Sequence, residues 1–161
     1  MSINKEKLMR IVIHEAEEAI KEGNSPFGAI LIDENGNIIE KAHNTAKSMC
    51  NPVLHAEINL ITKACKKLNT RDLSKYCIMS NAWSCSMCMS ACIKAKIQNF
   101  IYGAPSELDM NPNITIFDIK EKTNNKLNIE IGVLQDECQL QIENARQNTG
   151  YKVWYNENKK N

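Results

Sequence analysis

The chain has almost no net charge and no long apolar run. Its 20 Lys and Arg residues nearly balance 19 Asp and Glu residues, which leaves a formal charge of +1. Proteins that bind nucleic-acid backbones usually carry a basic excess, so the sequence predicts no nucleic-acid partner. A membrane-spanning helix needs roughly 18 consecutive apolar residues, and none is expected here. The segment from Met1 to Lys7 also lacks the apolar core of a secretory signal.

The sequence shows no internal repeat and no linker-like stretch, so we expect one domain that spans residues 1–161. A hydrophobic content of 43% and a charged content of 24% are ordinary for a globular protein. The seven cysteines are an odd number in a chain too large to need a disulfide framework. Reduced thiols and a cytoplasmic location fit this pattern best.

Hydrophobic periodicity predicts alternating helices and strands. The helical pattern covers the N-terminus to about Lys21, and residues 55–68, 87–96 and 135–147. Strands are predicted at residues 28–33, 37–42, 76–80, 99–103 and 127–133, and a loop at residues 109–114. An Asn-Gly pair at residues 35–36 predicts a hairpin between the first two strands. This order predicts an α/β fold, with a mixed central sheet of about five strands covered by helices on both faces.

Two short motifs carry metal-binding side chains. The first is His-Ala-Glu at residues 55–57, and the second is Cys-Ser-Met-Cys at residues 85–88. His55, Cys85 and Cys88 supply three ligands for Zn²⁺ and leave its fourth tetrahedral position open to water, as in catalytic zinc sites. The ligands converge if both helices leave the same edge of the sheet, where α/β proteins bind their ligands.

Glu57 follows the predicted histidine ligand by two residues and is the natural proton shuttle of such a site. Zinc lowers the pKa of its bound water toward neutrality, and a nearby carboxylate then moves the proton of that water to a substrate. H-x-E followed by P-C-x-x-C is the signature of zinc-dependent nucleobase deaminases. The chain carries this signature except for the proline, which Ser84 replaces.

Other interpretations of the same residues stay open at this point. A lone C-x-x-C pair fits a redox site or half of a structural zinc site, and His55 alone fits a core or cap position. Cys92 lies four residues after Cys88 and would close the zinc as a fourth ligand. The remaining cysteines are expected to be unliganded core or surface thiols. They are Cys50, Cys65, Cys77 and Cys138.

The chain resembles the cytidine/deoxycytidylate deaminase superfamily over about residues 8–103, and within it the branch of guanine, cytosine and tRNA-specific adenosine deaminases. Besides the zinc motifs, the resemblance rests on Ser25-Pro26-Phe27-Gly28-Ala29, Asn44, Pro52-Val53-Leu54, Ile58 and Ser90-Ala91-Cys92. Residues 62–69 are similar to bacterial guanine deaminases and related nucleoside deaminases. The resemblance implies a three-layer α/β/α sandwich, one zinc ion per chain and a homodimer. It places the zinc core at residues 25–103 and a variable part at residues 104–161.

The same resemblance implies further substrate contacts. Phe27 is expected to form one wall of the base pocket, and Asn44 to hydrogen-bond the base or the ribose. The backbone N–H of Ala56 is expected to meet a ring carbonyl, and the carbonyl of Ser84 to accept from the leaving amine. Plainer roles stay open, because Phe27 also fits the core and Asn44 fits a turn. Gly28 is expected to allow a close backbone approach.

Trp83 and Ser84 stand where most members of the family carry Glu-Pro, and Ser86 stands where they carry a second proline. Trp83 brings a large apolar ring close to the zinc ligands. There it would stack on the substrate, narrow the pocket or fill space. The departure therefore bears on which substrate fits, while the ligands and Glu57 are intact.

These residues are compatible with three functions. The first is a deaminase of a free nucleobase or nucleoside, with a guanine-type purine ahead of a cytosine-type pyrimidine. The second is a tRNA-specific adenosine deaminase, which shares the catalytic residues but should present a basic groove, whereas residues 134–147 mix both signs of charge. The third is a zinc-stabilised protein without activity, which would have no use for Glu57.

The C-terminal third carries further candidate residues. Acidic candidates for substrate contact are Glu107, Asp109 and Asp118, which also fit loop or cap positions. Three aromatic residues near the end of the chain would dock on the body, cover the pocket of a partner subunit or simply pack. They are Tyr151, Trp154 and Tyr155.

Overall fold

The structure, a computed structural model, describes residues 3–106 and 112–149. In these residues the chain forms five helices and five strands. Along the chain they are α1 (Lys5–Lys21), β1 (Gly28–Ile32), β2 (Ile38–His43), α2 (Ala56–Leu68), β3 (Cys77–Ala82), α3 (Ser86–Lys94), β4 (Asn99–Ala104), α4 (Ile116–Lys122), β5 (Asn128–Glu130) and α5 (Gln135–Thr149). None of the helices in this described part is long and apolar enough to cross a bilayer.

The described strands form one mixed sheet in the order β2-β1-β3-β4-β5. β1 runs antiparallel to β2 and to β3, whereas β3, β4 and β5 are parallel. The β1–β2 hairpin turns where predicted, since Gly36 has a φ of 82°, a conformation that glycine adopts without strain. The Asp33 carboxylate holds the turn by accepting from the N–H groups of Asn35 and Asn37, each at 2.9 Å.

Alternate residues of the strands face opposite layers of helices, as the pleat requires. Leu31 of β1 packs in one core with residues of α2, α3 and α4, among them Leu60 and Met89. Its neighbour Ile30 packs in the other core with residues of α1 and α5, among them Val12. Helices thus cover both faces of the sheet, which confirms the predicted three-layer α/β/α sandwich.

Gly28 at the start of β1 allows α1 to lie unusually close to the sheet. A Cβ atom at this position would meet the carbonyl oxygen of Val12 at 2.6 Å and the backbone nitrogen of Ala16 at 2.7 Å. Both atoms belong to the helix backbone, which cannot yield as a flexible side chain can. The structure therefore confirms that Gly28 serves a close backbone approach.

Helix α4 is absent from the elements predicted from the sequence. It has seven residues, of which only Ile116 is buried, so it offers no repeated apolar period. Its beginning nevertheless carries a sequence signal, because Thr115 and Asp118 form a reciprocal capping box. The last strand is also shorter than predicted, since β5 covers Asn128–Glu130 only.

Candidate zinc and catalytic site

Two helices begin side by side at one edge of the sheet, and each begins at a predicted zinc ligand. His55 is the N-cap residue of α2 with φ −70° and ψ 163°. Cys85 is the N-cap residue of α3 with φ −69° and ψ 167°. Neither side chain makes a capping hydrogen bond. The extended backbone before each helix therefore directs an imidazole and a thiol toward the same point.

The three predicted ligands form a compact donor set. One ligand atom from each of His55, Cys85 and Cys88 lies within 4.8 Å of the others, and Cys85 Sγ is 3.5 Å from His55 Nδ1. A tetrahedral Zn²⁺ with ordinary Zn–S and Zn–N bond lengths would hold these two atoms about 3.6 Å apart. The donor types and their spacing therefore fit zinc.

The two thiols of this set have opposite pKa shifts. Hydrogen bonding from the Cys88 thiol, together with His55, lowers the pKa of Cys85 to about 4. The same hydrogen bond and burial raise the pKa of Cys88 well above its usual value. One thiolate is thus already favoured at this position, as expected for a site that binds a cation.

Cys92 belongs to the core rather than to the ligand set. It is fully buried among apolar residues of the α2–α3 side, and burial raises its pKa. Among the residues that the structure describes, the only candidate metal-ligand group consists of His55, Cys85 and Cys88. The geometry therefore favours three protein ligands over the closed four-ligand alternative.

The other cysteines also lie outside this group. Cys65 and Cys77 are partly buried, Cys138 is buried and Cys50 is exposed, and all are free thiols. Burial raises the pKa of Cys77 and of Cys138 to about 12. Cys65, Cys77 and Cys138 are thus core or partly buried thiols and Cys50 is a surface thiol, and none of them belongs to the candidate ligand group.

Glu57 is buried at the same place. Its side chain lies in the first turn of α2, and it lines a small pocket together with His55 and Cys85. Burial, and then the negative charge of Cys85, raises the pKa of Glu57 above its usual value. The carboxyl group of Glu57 thus lies in the same pocket as two of the predicted metal ligands.

Two hydroxyl groups in the protein interior form a hydrogen-bonded chain that ends at Glu57. Ser84 Oγ donates to Glu57 Oε1 at 2.6 Å, and the hydroxyl of Tyr102 donates to Ser84 Oγ at 2.9 Å. All three residues are buried. The role expected for Ser84 from the sequence involved its backbone carbonyl only, and no role was expected for Tyr102. The single available signal was a tyrosine in a buried strand, whose hydroxyl needs a partner.

Phe27 and Trp83 are apolar lining residues of the pocket. That Phe27 forms a wall of a base-binding site stays a prediction. Trp83 packs edge-on against Phe117, with ring centroids 5.4 Å apart. The indole Nε1 of Trp83 is buried and has no hydrogen-bond partner among the described residues. Ser106, which also lines the pocket, donates to the Trp83 carbonyl at 2.6 Å.

Ala56 and Asn44 occupy different positions relative to the pocket. Ala56 is the first residue of α2, so its N–H has no partner within the helix. Asn44 is buried beside Phe27, to whose carbonyl its N–H donates at 2.9 Å. Its Oδ1 accepts from the N–H of Ala46 at 3.0 Å, which is a turn-forming contact. A substrate contact by Asn44 stays a prediction.

The candidates of the C-terminal part divide into two groups. Asp118 caps α4, where its carboxylate accepts from the N–H of Thr115 at 2.7 Å. The other candidates lie outside the described residues. They are Glu107, Asp109, Tyr151, Trp154 and Tyr155.

Residues 2–104 match the family model of the cytidine and deoxycytidylate deaminase zinc-binding region. The chain belongs to this deaminase family. The matched region contains all three candidate zinc ligands and Glu57, so the donor set lies in the part of the chain that defines the family. Because the family consists of zinc-binding deaminases, membership supports the identification of this chain as a hydrolytic deaminase.

Relatives of this deaminase carry names with different substrates. The tRNA-specific adenosine deaminase of Bacillus subtilis is 31% identical over 83% of this chain and 83% of its own length. That of Aquifex aeolicus is 35% identical over 63% of this chain and 67% of its own length. The solved guanine deaminase of Nitrosomonas europaea has a TM-score of 0.73 at 24% identity, over 90% of this chain and 86% of its own. At that identity the last likeness supports the fold.

Proposed function

We propose that this deaminase removes an exocyclic amine hydrolytically from a free nucleobase or nucleoside, with a guanine-type purine first and a cytosine-type pyrimidine second. The observation that carries the proposal is the buried Glu57 carboxylate, which lines the same small pocket as His55 and Cys85. A carboxylate beside an open zinc position is the arrangement that hydrolytic deamination needs.

His55, Cys85 and Cys88 would hold one Zn²⁺ per chain, and the ion would supply a water of lowered pKa. Glu57 would take one proton from the attacking water and pass it to a ring nitrogen as the water oxygen bonds to the ring carbon. It would then take the remaining proton from the hydroxyl on that carbon and deliver it to the amine. The C–N bond breaks, ammonia leaves, a ring carbonyl forms, and the carboxylate is regenerated. Because Glu57 is buried, bulk water competes little for the protons that it transfers.

The substrate would lie between the pocket walls of Phe27 and Trp83. The Ala56 N–H would bind a ring acceptor, because no carbonyl of the helix reaches it. The Ser84 carbonyl would accept from the leaving amine, and Asn44 would bind the base or the ribose beside Phe27. These contacts fix the ring so that its reacting carbon faces Glu57 and the metal position.

The pocket lining supports a small, uncharged substrate. No Lys or Arg side chain lines the pocket in the part of the chain that the structure describes, and the whole chain has a net charge of +1. Binding of RNA draws most of its affinity from basic side chains that contact phosphates. The proposal therefore places the free base or nucleoside ahead of RNA.

A tRNA-specific adenosine deaminase is the second candidate, because the two curated relatives compared above carry that name. Those names weaken the expectation, drawn from the net charge and from the mixed charges of residues 134–147, that no nucleic acid binds. Both candidates use the same metal ligands and the same glutamate, so the two differ in what surrounds the pocket. A non-catalytic zinc protein is disfavoured, since burying Glu57 without a function would cost stability.

The proposal includes a homodimer and a cytoplasmic setting. Four exposed apolar side chains lie near the starts of two helices: Met49 and Val53 precede α2, and Ile114 and Phe117 lie at the start of α4. A second copy would shield them from water. The seven free thiols support a reducing compartment.

The test is ammonia release by the zinc-loaded protein from guanine, cytosine, adenine, their nucleosides and a tRNA anticodon stem-loop that contains adenosine. We expect turnover of a free base or nucleoside and none of the stem-loop. Turnover of the stem-loop alone would replace the first candidate with the second. Silence on the whole panel, with zinc bound, would favour the non-catalytic alternative.

A further inference from the structure

The side chain of Glu57 is held from the interior by a chain of two hydroxyl groups. Ser84 Oγ lies 2.6 Å from Glu57 Oε1, and the Tyr102 hydroxyl lies 2.9 Å from Ser84 Oγ. The exposed fraction is 1% for Ser84 and 0% for Tyr102, so bulk water does not replace either contact. The deaminase signature has a proline at the position of Ser84, and proline has no side-chain donor. This chain thus carries a contact to its glutamate that the signature itself does not contain.

The direction of the chain follows from its number of protons. Each hydroxyl has one proton to donate. If Tyr102 donates to Ser84, the proton of Ser84 goes to Glu57 Oε1. In the reverse direction, Tyr102 would have to donate to Met89 Sδ at 3.7 Å, and a thioether sulfur is a weak acceptor. The forward direction is therefore favoured, and it makes Oε1 an acceptor.

We propose that Ser84 and Tyr102 are positioning residues of this deaminase, which reserve Oε1 of Glu57 as an acceptor so that the shuttled proton is carried on Oε2. This inference rests on the proposed function. In each turnover Oε2 would take the two protons of the attacking water one after the other. It would give the first to the ring nitrogen and the second to the leaving amine, so the carboxylate returns to its starting state. Oε1 keeps the Ser84 hydrogen bond throughout, which fixes the orientation of the carboxylate plane.

Four variants test the proposal: Ser84→Ala, Ser84→Thr, Tyr102→Phe and the double variant Ser84→Ala/Tyr102→Phe. Tyr76→Phe is the matched control, because Tyr76 packs against the same core but lies outside the pocket lining. For each protein we would measure kcat, KM, bound zinc and thermal unfolding. Crystal structures of the zinc-loaded wild type and Ser84→Ala would give the orientation of the Glu57 carboxylate.

We expect Ser84→Ala to lower kcat at least about tenfold, since hydrogen bonds to charged groups are among the stronger ones, with KM and bound zinc unchanged. Ser84→Thr keeps the hydroxyl and should restore most of kcat. Tyr102→Phe should have a smaller effect that disappears in the Ser84→Ala background, because it acts through Ser84. The carboxylate of Glu57 should be rotated in the Ser84→Ala structure.

A kcat of Ser84→Ala within about twofold of wild type, with the Glu57 carboxylate unmoved, would overturn the proposal. The proposal would also be overturned if Tyr102→Phe lowered kcat by the same factor in the wild-type and in the Ser84→Ala background. Additive effects of that kind mean that the two residues act independently. If the wild type is silent on every substrate, the proposed function fails. The orientation of Glu57 in Ser84→Ala then decides the positioning claim separately.

Discussion

Cys85 Sγ lies 3.5 Å from His55 Nδ1, although 30 residues separate them in the chain. The contact exists because α2 and α3 begin next to each other at one edge of the sheet, and each begins at one of these residues. Both positions are set by the backbone immediately before a regular helix, rather than by a long loop. The donor set is therefore preorganised, so little conformational entropy is lost when a metal binds.

The first prediction concerns the number of zinc ligands. We expect His55→Ala, Cys85→Ala and Cys88→Ala each to lose zinc on dialysis against a weak chelator, because two remaining ligands hold the ion poorly. Cys92→Ala is the matched control, since its thiol is buried in the core, and it should keep one zinc per chain. Metal analysis of the dialysed proteins checks this, and loss of zinc from Cys92→Ala would mean a closed four-ligand site.

The second prediction concerns the close approach of α1 and β1. Gly28→Ala should lower the free energy of unfolding by about 2–3 kcal/mol or more, because the new Cβ would overlap backbone atoms of α1. Gly132→Ala is the control. It has a φ of 87°, and a Cβ atom there would meet Gln135 Oε1 at 3.6 Å, an ordinary van der Waals contact. Only backbone strain of about 1 kcal/mol is therefore expected. Urea unfolding measures both, and equal effects would refute the packing explanation.

The third prediction concerns acid stability and the buried Glu15. Its side chain is 8% exposed and lies 2.6 Å from Lys41 Nζ. Burial alone would raise its pKa, but hydrogen bonds with Lys41 and His43 outweigh burial and hold the pKa below 4.5. The stabilisation is therefore complete above the unfolded pKa and is lost as the pH falls through the lower, folded pKa.

Glu15→Gln should thus destabilise the protein by about 1 kcal/mol at neutral pH, and by less at about pH 3. Urea unfolding at both pH values measures the difference. Glu18→Gln is the control, because Glu18 pairs with Lys21 at the surface and exposed pairs contribute little. If Glu15→Gln lowered the free energy of unfolding by the same amount at both pH values, the stabilising role of the ionised Glu15 carboxylate would be refuted.

The fourth prediction concerns the Trp83 indole N–H, which is buried and unpaired among the described residues. Trp83→Phe removes this donor but keeps an aromatic ring in the pocket wall. Deleting an unpaired polar group stabilises the folded state and offsets part of the packing that is lost with the larger ring. The free energy of unfolding should therefore change by less than about 1 kcal/mol. Trp83 lines the pocket, and if its N–H donates to a bound substrate, KM should rise about fivefold or more in the variant.

Phe117→Leu is the control for that variant, because it removes the edge contact with Trp83 without touching the pocket lining. Its KM should stay at the wild-type value. A rise in KM for Phe117→Leu equal to that for Trp83→Phe would mean that ring packing, and not the N–H, sets substrate affinity.

Local patterns in the sequence predict much of this fold and of the metal site. The Asn-Gly turn, the alternating strand residues and the motifs at two helix starts all act over short distances, and the structure confirms the sheet and brings the three ligands together. The final strand is overestimated, because Ile131 is apolar yet exposed and unpaired with β4. Helix α4 is missed because two turns with one buried residue give no period.

The hydroxyl chain to Glu57 lies beyond the reach of such patterns. Ser84 is 27 residues from Glu57, and Tyr102 is 18 residues from Ser84. Their contacts depend on the parallel pairing of β3 with β4 and on the packing of α2 beside α3. A side-chain hydrogen bond across three elements leaves no periodic trace in one sequence.

The proposed role of Glu57 is to move protons beside a zinc ion held by His55, Cys85 and Cys88. It is tested by measuring turnover and bound zinc in Glu57→Gln, which keeps the size of the side chain but cannot shuttle a proton as a carboxylate does. We expect kcat to fall about a hundredfold or more, with one zinc per chain retained. Full activity in Glu57→Gln would show that Glu57 does not shuttle the proton.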